Sequence, residues 1–149
     1  LLMRFTDRPE CLARVMAEDY LQSQSLHGEQ RAERLREVGD HCLLFSGLFP
    51  HQAERRLVHI SYFVNIGRAS YQQLSAGLDR GWASVYRHLS EAFVVLMDIL
   101  QAMRGLGGEA VLTPIQAMDL WAETGSRRCF EQMSADGRLS PVPAGLEKH

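Results

Sequence analysis

Asp40 and His41 in VGDHCLLFSGLF, and Tyr62 and Arg68 in ISYFVNIGRASYQQLSAGL, are the residues of this chain whose types and spacing could do chemistry. A guanidinium such as that of Arg68 can grip a carboxylate or phosphate through two parallel N–H bonds. Asp40 stands where its segment turns apolar, and a carboxylate buried there needs a cationic partner, with Arg68 or Arg55 in reach. On this reading the four residues form a polar ligand pocket between residues 38–49 and 60–76. A plainer reading makes Asp40 the last exposed acid of a solvated half-helix. The stripe Ser61, Asn65, Arg68, Gln72 and Ser75 would then be an exposed face or a contact surface for another helix.

Cys42 follows His41 directly, and adjacent helical residues do not face each other, so the pair is no Cys-His dyad by itself. Cys42 reads as a small core residue. Cys11, Cys42 and Cys129 are widely spaced, with no CxxC or Cys/His metal pattern, which fits free thiols in a reducing cytosol. Glu37-x-x-x-His41 and His88-x-x-Glu91 each put an acid and an imidazole on one helix face. The Glu-x-x-His pair of helical di-metal sites does not occur. A single metal or haem iron would have to rest on His41, His51, His59 or His88, none with a diagnostic spacing. No phosphate-binding glycine loop, GxSxG elbow or HExxH is found. No catalytic residue, metal or cofactor is therefore assigned.

The elements that must position these residues are helical. The chain has 149 residues, net charge −2 and 46% apolar residues, enough for one domain with a real core. Asp7-Arg8-Pro9-Glu10 can start a helix running to about Ser23, with Leu12, Val15, Met16 and Tyr20 as its apolar stripe. A second helix spans about Glu29 to Phe49, charged in its first half and apolar nearly all round from Cys42 to Phe49. Pro50 ends it, and His51–His59 is a polar connector. The third, about Ile60 to Ala76, places Ile60, Val64, Gly67, Tyr71 and Leu74 on one side. Gly67 in that stripe costs roughly 1 kcal/mol of helix propensity, which predicts a close helix crossing with Gly39 or Gly47 nearby.

A fourth helix is expected from about Trp82 to Arg104. Val85, Leu89, Ala92, Leu96, Ile99 and Met103 form its core stripe, widened by Val95 and Phe93, with Arg87, Glu91, Asp98 and Gln101 on the other face. Thr113-Pro114-Ile115-Gln116 carries the strongest start signal in the chain, with Thr as cap, Pro first and Gln at the capping-box position. That helix stops at Gly125, and Ser126 can cap a last one to about Ala135. The fold class is all-α: a compact, single-domain bundle of five to seven helices over residues 1–137, with a flexible tail over 138–149.

The arginine doublets Arg55-Arg56 and Arg127-Arg128 are interspersed with acids, which argues against nucleic acid as a partner. No apolar window reaches the about 20 residues of a membrane span, and no secretory signal is visible, so a cytoplasmic location is expected. The chain begins at Leu1 and not at Met, so its native start is expected upstream. Among 16 basic residues only Lys148 is a lysine, a bias that suits a high-GC bacterial genome. Functionally, the sequence points to a non-enzymatic helical interaction or regulatory module that self-associates or binds another protein. The alternative is a small-molecule-binding protein or enzyme using Asp40, His41, Tyr62 and Arg68.

Overall fold

A computed structural model describes residues 9–50, 59–106 and 112–135 and folds them into seven helices. These are α1 (Pro9–Ser23), α2 (Gly28–Leu48), α3 (Ile60–Ala76), α4 (Arg80–Glu91), α5 (Phe93–Gly105), α6 (Pro114–Thr124) and α7 (Arg127–Ala135). No strand occurs among the described residues, so the chain is all-helical. Asp7 and Arg8 of the expected helix start, most of the 51–59 connector and the 138–149 tail lie outside the described residues.

The centre is the pair α2–α3, which pack on each other more extensively than any other two helices. Ile60, Val64, Gly67, Tyr71 and Leu74 of α3 are all buried, the side that its period dictates. On α2 burial begins at Leu35 and becomes dense from Val38 to Gly47. Phe45 meets Phe63 with ring centroids 4.6 Å apart. Three glycines let the helices approach. A methyl on Gly39 would enter the Tyr71 ring, one on Gly47 would lie 2.6 Å from Cβ of Leu100, and one on Gly67 would meet Phe93 and lie 2.9 Å from Cβ of Cys42. Gly67 thus marks a close crossing, but its neighbours are Cys42 and Phe93 and not another glycine.

At one end of the bundle a polar knot joins α1, α2 and α3. Gln73 donates to the Tyr20 hydroxyl at 2.6 Å, and its carbonyl oxygen accepts from Gln24 at 2.9 Å and Arg31 at 3.1 Å. At the other end, Thr113 and Gln116 form the expected capping box, with Pro114 opening α6. Gly125 closes α6 in the left-handed region at φ 71°, a conformation that suits a residue without Cβ. Ser126 then caps α7: its hydroxyl accepts from the Cys129 N–H at 3.2 Å and donates to Asp98 at 2.6 Å. Asp98 also accepts from the Arg128 N–H at 3.3 Å, so a carboxylate of α5 sits at the positive end of α7.

The segment expected as one long fourth helix is two. Ala92, at φ −87° and ψ 5°, departs from helical geometry and divides α4 from α5, although the bonds Ala92 N–H to His88 O and Leu96 N–H to Ala92 O carry the ladder past it. The buried face of α5 also differs from the expected one. Phe93 points inward as expected, joined by Met97 and Gln101, whereas Val85, Val95, Ile99 and Met103, expected in the core, are exposed. Gln101, expected on the polar face, is 0% exposed and donates to the Ser46 carbonyl at 3.0 Å. The cause is plain in the sequence: Phe93-Val94-Val95-Leu96-Met97 points apolar groups in every direction, so its period cannot choose a side. No helix among the described residues is long and apolar enough to cross a membrane.

Candidate functional site

The four residues singled out by type and spacing do not converge on one described concavity. Asp40 is exposed and accepts a 2.7 Å hydrogen bond from the Tyr71 hydroxyl, a partner in α3 that sequence spacing did not suggest. Burial, followed by that bond to a carboxylate, pushes the Tyr71 phenol far above its ordinary range, so it stays a donor. His41 is half-buried, with Nδ1 shielded from solvent and without a hydrogen-bond partner among the described residues. Tyr62 and Arg68 both face outward on α3, and the Arg68 carbonyl accepts from the Ser90 hydroxyl at 3.0 Å. Between them α2 and α3 touch through Gly39 under Tyr71 and Cys42 against Gly67. Arg55, the other expected partner of Asp40, lies outside the described residues.

The two buried thiols, Cys42 and Cys129, are not poised for chemistry. Cys42 is fully buried and desolvation drives its pKa far upward, which disfavours the nucleophilic thiolate. Burial raises Cys129 as well, with the neighbouring Ser126 side chain acting the other way. All three cysteines are free. No group of three or more His, Cys, Asp or Glu residues is placed to hold a metal ion among the described residues.

Two surfaces stand out instead. One is the outer face of α5. Val95 is 59% exposed, Ile99 50%, Met103 62% and Leu106 88%. Val95, Ile99, Ala102 and Leu106 recur at steps of four, three and four, the spacing that presents one continuous seam to another helix. Charged groups do not interrupt the seam. Asp98 is turned to the start of α7, and the Arg104 guanidinium bonds the Leu48 carbonyl and lies 5.2 Å from the centroid of the Phe49 ring. Burial of Phe93, Met97 and Gln101 on the inner side fixes this orientation.

The other surface is a groove where the first half of α2 faces the end of α3 and the start of α4. It encloses about 460 Å³ and is lined by Glu29, Ala32, Glu33 and Arg36 of α2, by Leu74 and Leu78, and by Trp82 and Tyr86 of α4. A neighbouring recess of about 420 Å³ shares Glu29, Ala32, Leu74 and Leu78 and continues past Arg31, Leu35 and Gln73. Asp40, His41, Tyr62 and Arg68 line neither.

Comparison with family models, with curated proteins and with solved structures returns no match to this chain. Its function must therefore be read from its own residues. Sequence reasoning missed both surfaces. The seam was signalled by the four-three-four spacing of Val95, Ile99, Ala102 and Leu106, which an abundance of apolar neighbours concealed. The groove was signalled by Leu78, Trp82 and Tyr86 at steps of four on one side, and by Glu29, Ala32, Glu33 and Arg36 at helical spacing on the other.

Proposed function

We propose that this chain is a non-enzymatic helical interaction module that self-associates through the outer face of α5. The observation that carries this reading is that α5 is apolar on its outer as well as its inner face. A helix of that kind is stable in water when protein surrounds it, and a contiguous apolar patch on a monomer marks an interaction surface. The seam spacing suits a helix as the covering element. A second copy offers the same seam, and a two-fold axis would pair it with itself. The arginine-over-lysine bias and the three free thiols fit a bacterial cytosol as its setting.

The test is the mass in solution of the wild type and of Val95→Asp/Ile99→Asp. The wild type is expected to run at twice the 16.8 kDa of one chain. Each buried aliphatic side chain contributes about 1.5–3 kcal/mol, and each occurs twice in a dimer, so the double variant should weaken association by at least about 100-fold. Its helical circular dichroism should be unchanged, because neither side chain supports the core. A wild type that stays monomeric at about 100 μM, the low-affinity end for a functional homodimer, would remove the proposal.

A further inference from the structure

We infer that the groove between α2 and α4 is a binding site for an organic cation with an apolar body. The inference is independent of self-association through α5.

The groove offers three kinds of surface. Its floor is aliphatic, from Ala32, Leu74 and Leu78. One wall is aromatic: Trp82 is 63% exposed, and its ring lies 6.5 Å from Tyr86, centroid to centroid. The opposite wall presents Glu29 and Glu33, one helical turn apart, and neither carboxylate has an ion-pair or hydrogen-bond partner among the described residues. Arg36, one turn further along α2, is likewise unpaired among the described residues and leaves the lining one negative charge in excess. Arg31 lines the adjoining recess and not the groove itself, and its guanidinium donates to the Gln73 amide oxygen. Aromatic faces attract cations through their ring quadrupole, and do so more strongly as water is excluded. Carboxylates across from them select positive charge and repel phosphates and carboxylates. A volume near 460 Å³ falls within the range of small-molecule sites.

The aromatic wall is anchored, not loose. The Tyr86 ring packs tilted against Tyr71 at 5.8 Å, Tyr71 packs likewise against the buried Phe93 at 5.9 Å, and Tyr71 is tied to Asp40. A chain of rings thus runs from the groove into the core and holds the wall in place before a ligand arrives, which lowers the ordering cost of binding.

The test uses a pair of ions alike in shape and opposite in charge, tetraphenylphosphonium and tetraphenylborate. The chain has two tryptophans, so Trp121→Phe leaves Trp82 as the only indole reporter. Titration should give a saturable change of Trp82 emission with the phosphonium and none with the borate. Glu29→Gln/Glu33→Gln should weaken phosphonium binding by at least about tenfold. Arg36→Gln should tighten it by a few-fold, an effect that loss of fold could not produce. Equal binding of the borate would overturn the inference, as would a phosphonium affinity unchanged in the glutamine variant. So would the absence of a saturable response up to about 1 mM, the weak limit of a specific small-ligand site.

Discussion

Helix α3 turns its apolar residues to one side, while α5 carries them on every side. In α3 the buried set Ile60, Val64, Gly67, Tyr71 and Leu74 faces α2, and the exposed set Asn65, Arg68 and Gln72 meets water. The packing of this chain accounts for each of those faces. In α5 the inner set Phe93, Met97 and Gln101 is equally well covered, but the outer set Val95, Ile99, Met103 and Leu106 is covered by nothing described. The fold itself therefore consumes most of the apolar surface of α3 and only part of that of the more apolar α5. The surplus on α5 is what makes it a candidate interface.

The sharpest way to break this comparison is to truncate the two faces of α5 separately. Phe93→Ala removes a fully buried ring packed on Tyr71 and should cost about 3–5 kcal/mol of unfolding free energy in urea. Ile99→Ser, measured where the protein is dissociated, should stay within about 0.5 kcal/mol of wild type. Equal losses at the two positions would mean that both faces of α5 are core. A smaller effect is expected from Gly67→Ala on α3. The added methyl meets Phe93 and Cβ of Cys42, and overpacking of this kind costs about 1–3 kcal/mol. A thermal melt unchanged by that substitution would show the α2–α3–α5 crossing to be looser than described.

The smallest effect expected is a dependence on alkaline pH. Cys42 is neutral and buried in the folded chain, with its thiol held well above the ordinary value near 9, whereas unfolding frees it to ionise. The folded state then holds more protons than the unfolded one above pH 9, so stability is full below that pH and falls as pH rises through it. At pH 10 the loss from Cys42 alone is about 1.4 kcal/mol. Cys42→Ala should make the profile less steep above pH 9, leaving the shares of Cys129 and Tyr71, while lowering stability at neutral pH. A profile of the same slope in that variant would assign the alkaline loss to other groups.

Much of the helical framework is legible in the sequence because particular residues leave the chain little choice. Thr113, Pro114 and Gln116 dictate where α6 begins, Gly125 where it ends, and Ser126 caps α7. Polar and apolar residues alternate around α3 at helical period, so its buried side follows from composition alone. Around α5 they do not. Five consecutive apolar residues remove the contrast that a period needs, and only contacts with α2 and α7 decide that Gln101 goes in and Ile99 stays out. The same limit governs the site. Spacing can put Arg68 or Tyr62 on a face of α3, but whether a face opens on a cavity depends on what the next helix brings. Here α3 and α2 close on each other around Gly39 and Gly67, and the groove described lies further along, where α4 brings Trp82 and Tyr86. The bond from Tyr71 to Asp40 joins residues 31 apart in the chain, beyond any local pattern.

The measurement that bears most directly on the outer face of α5 is sedimentation equilibrium of the wild type beside Val95→Asp/Ile99→Asp. A wild-type dimer of two 16.8 kDa chains and a folded monomeric variant are the predicted pair of results. A wild-type monomer, or a variant that remains dimeric, would contradict the assignment of α5 as the self-associating surface.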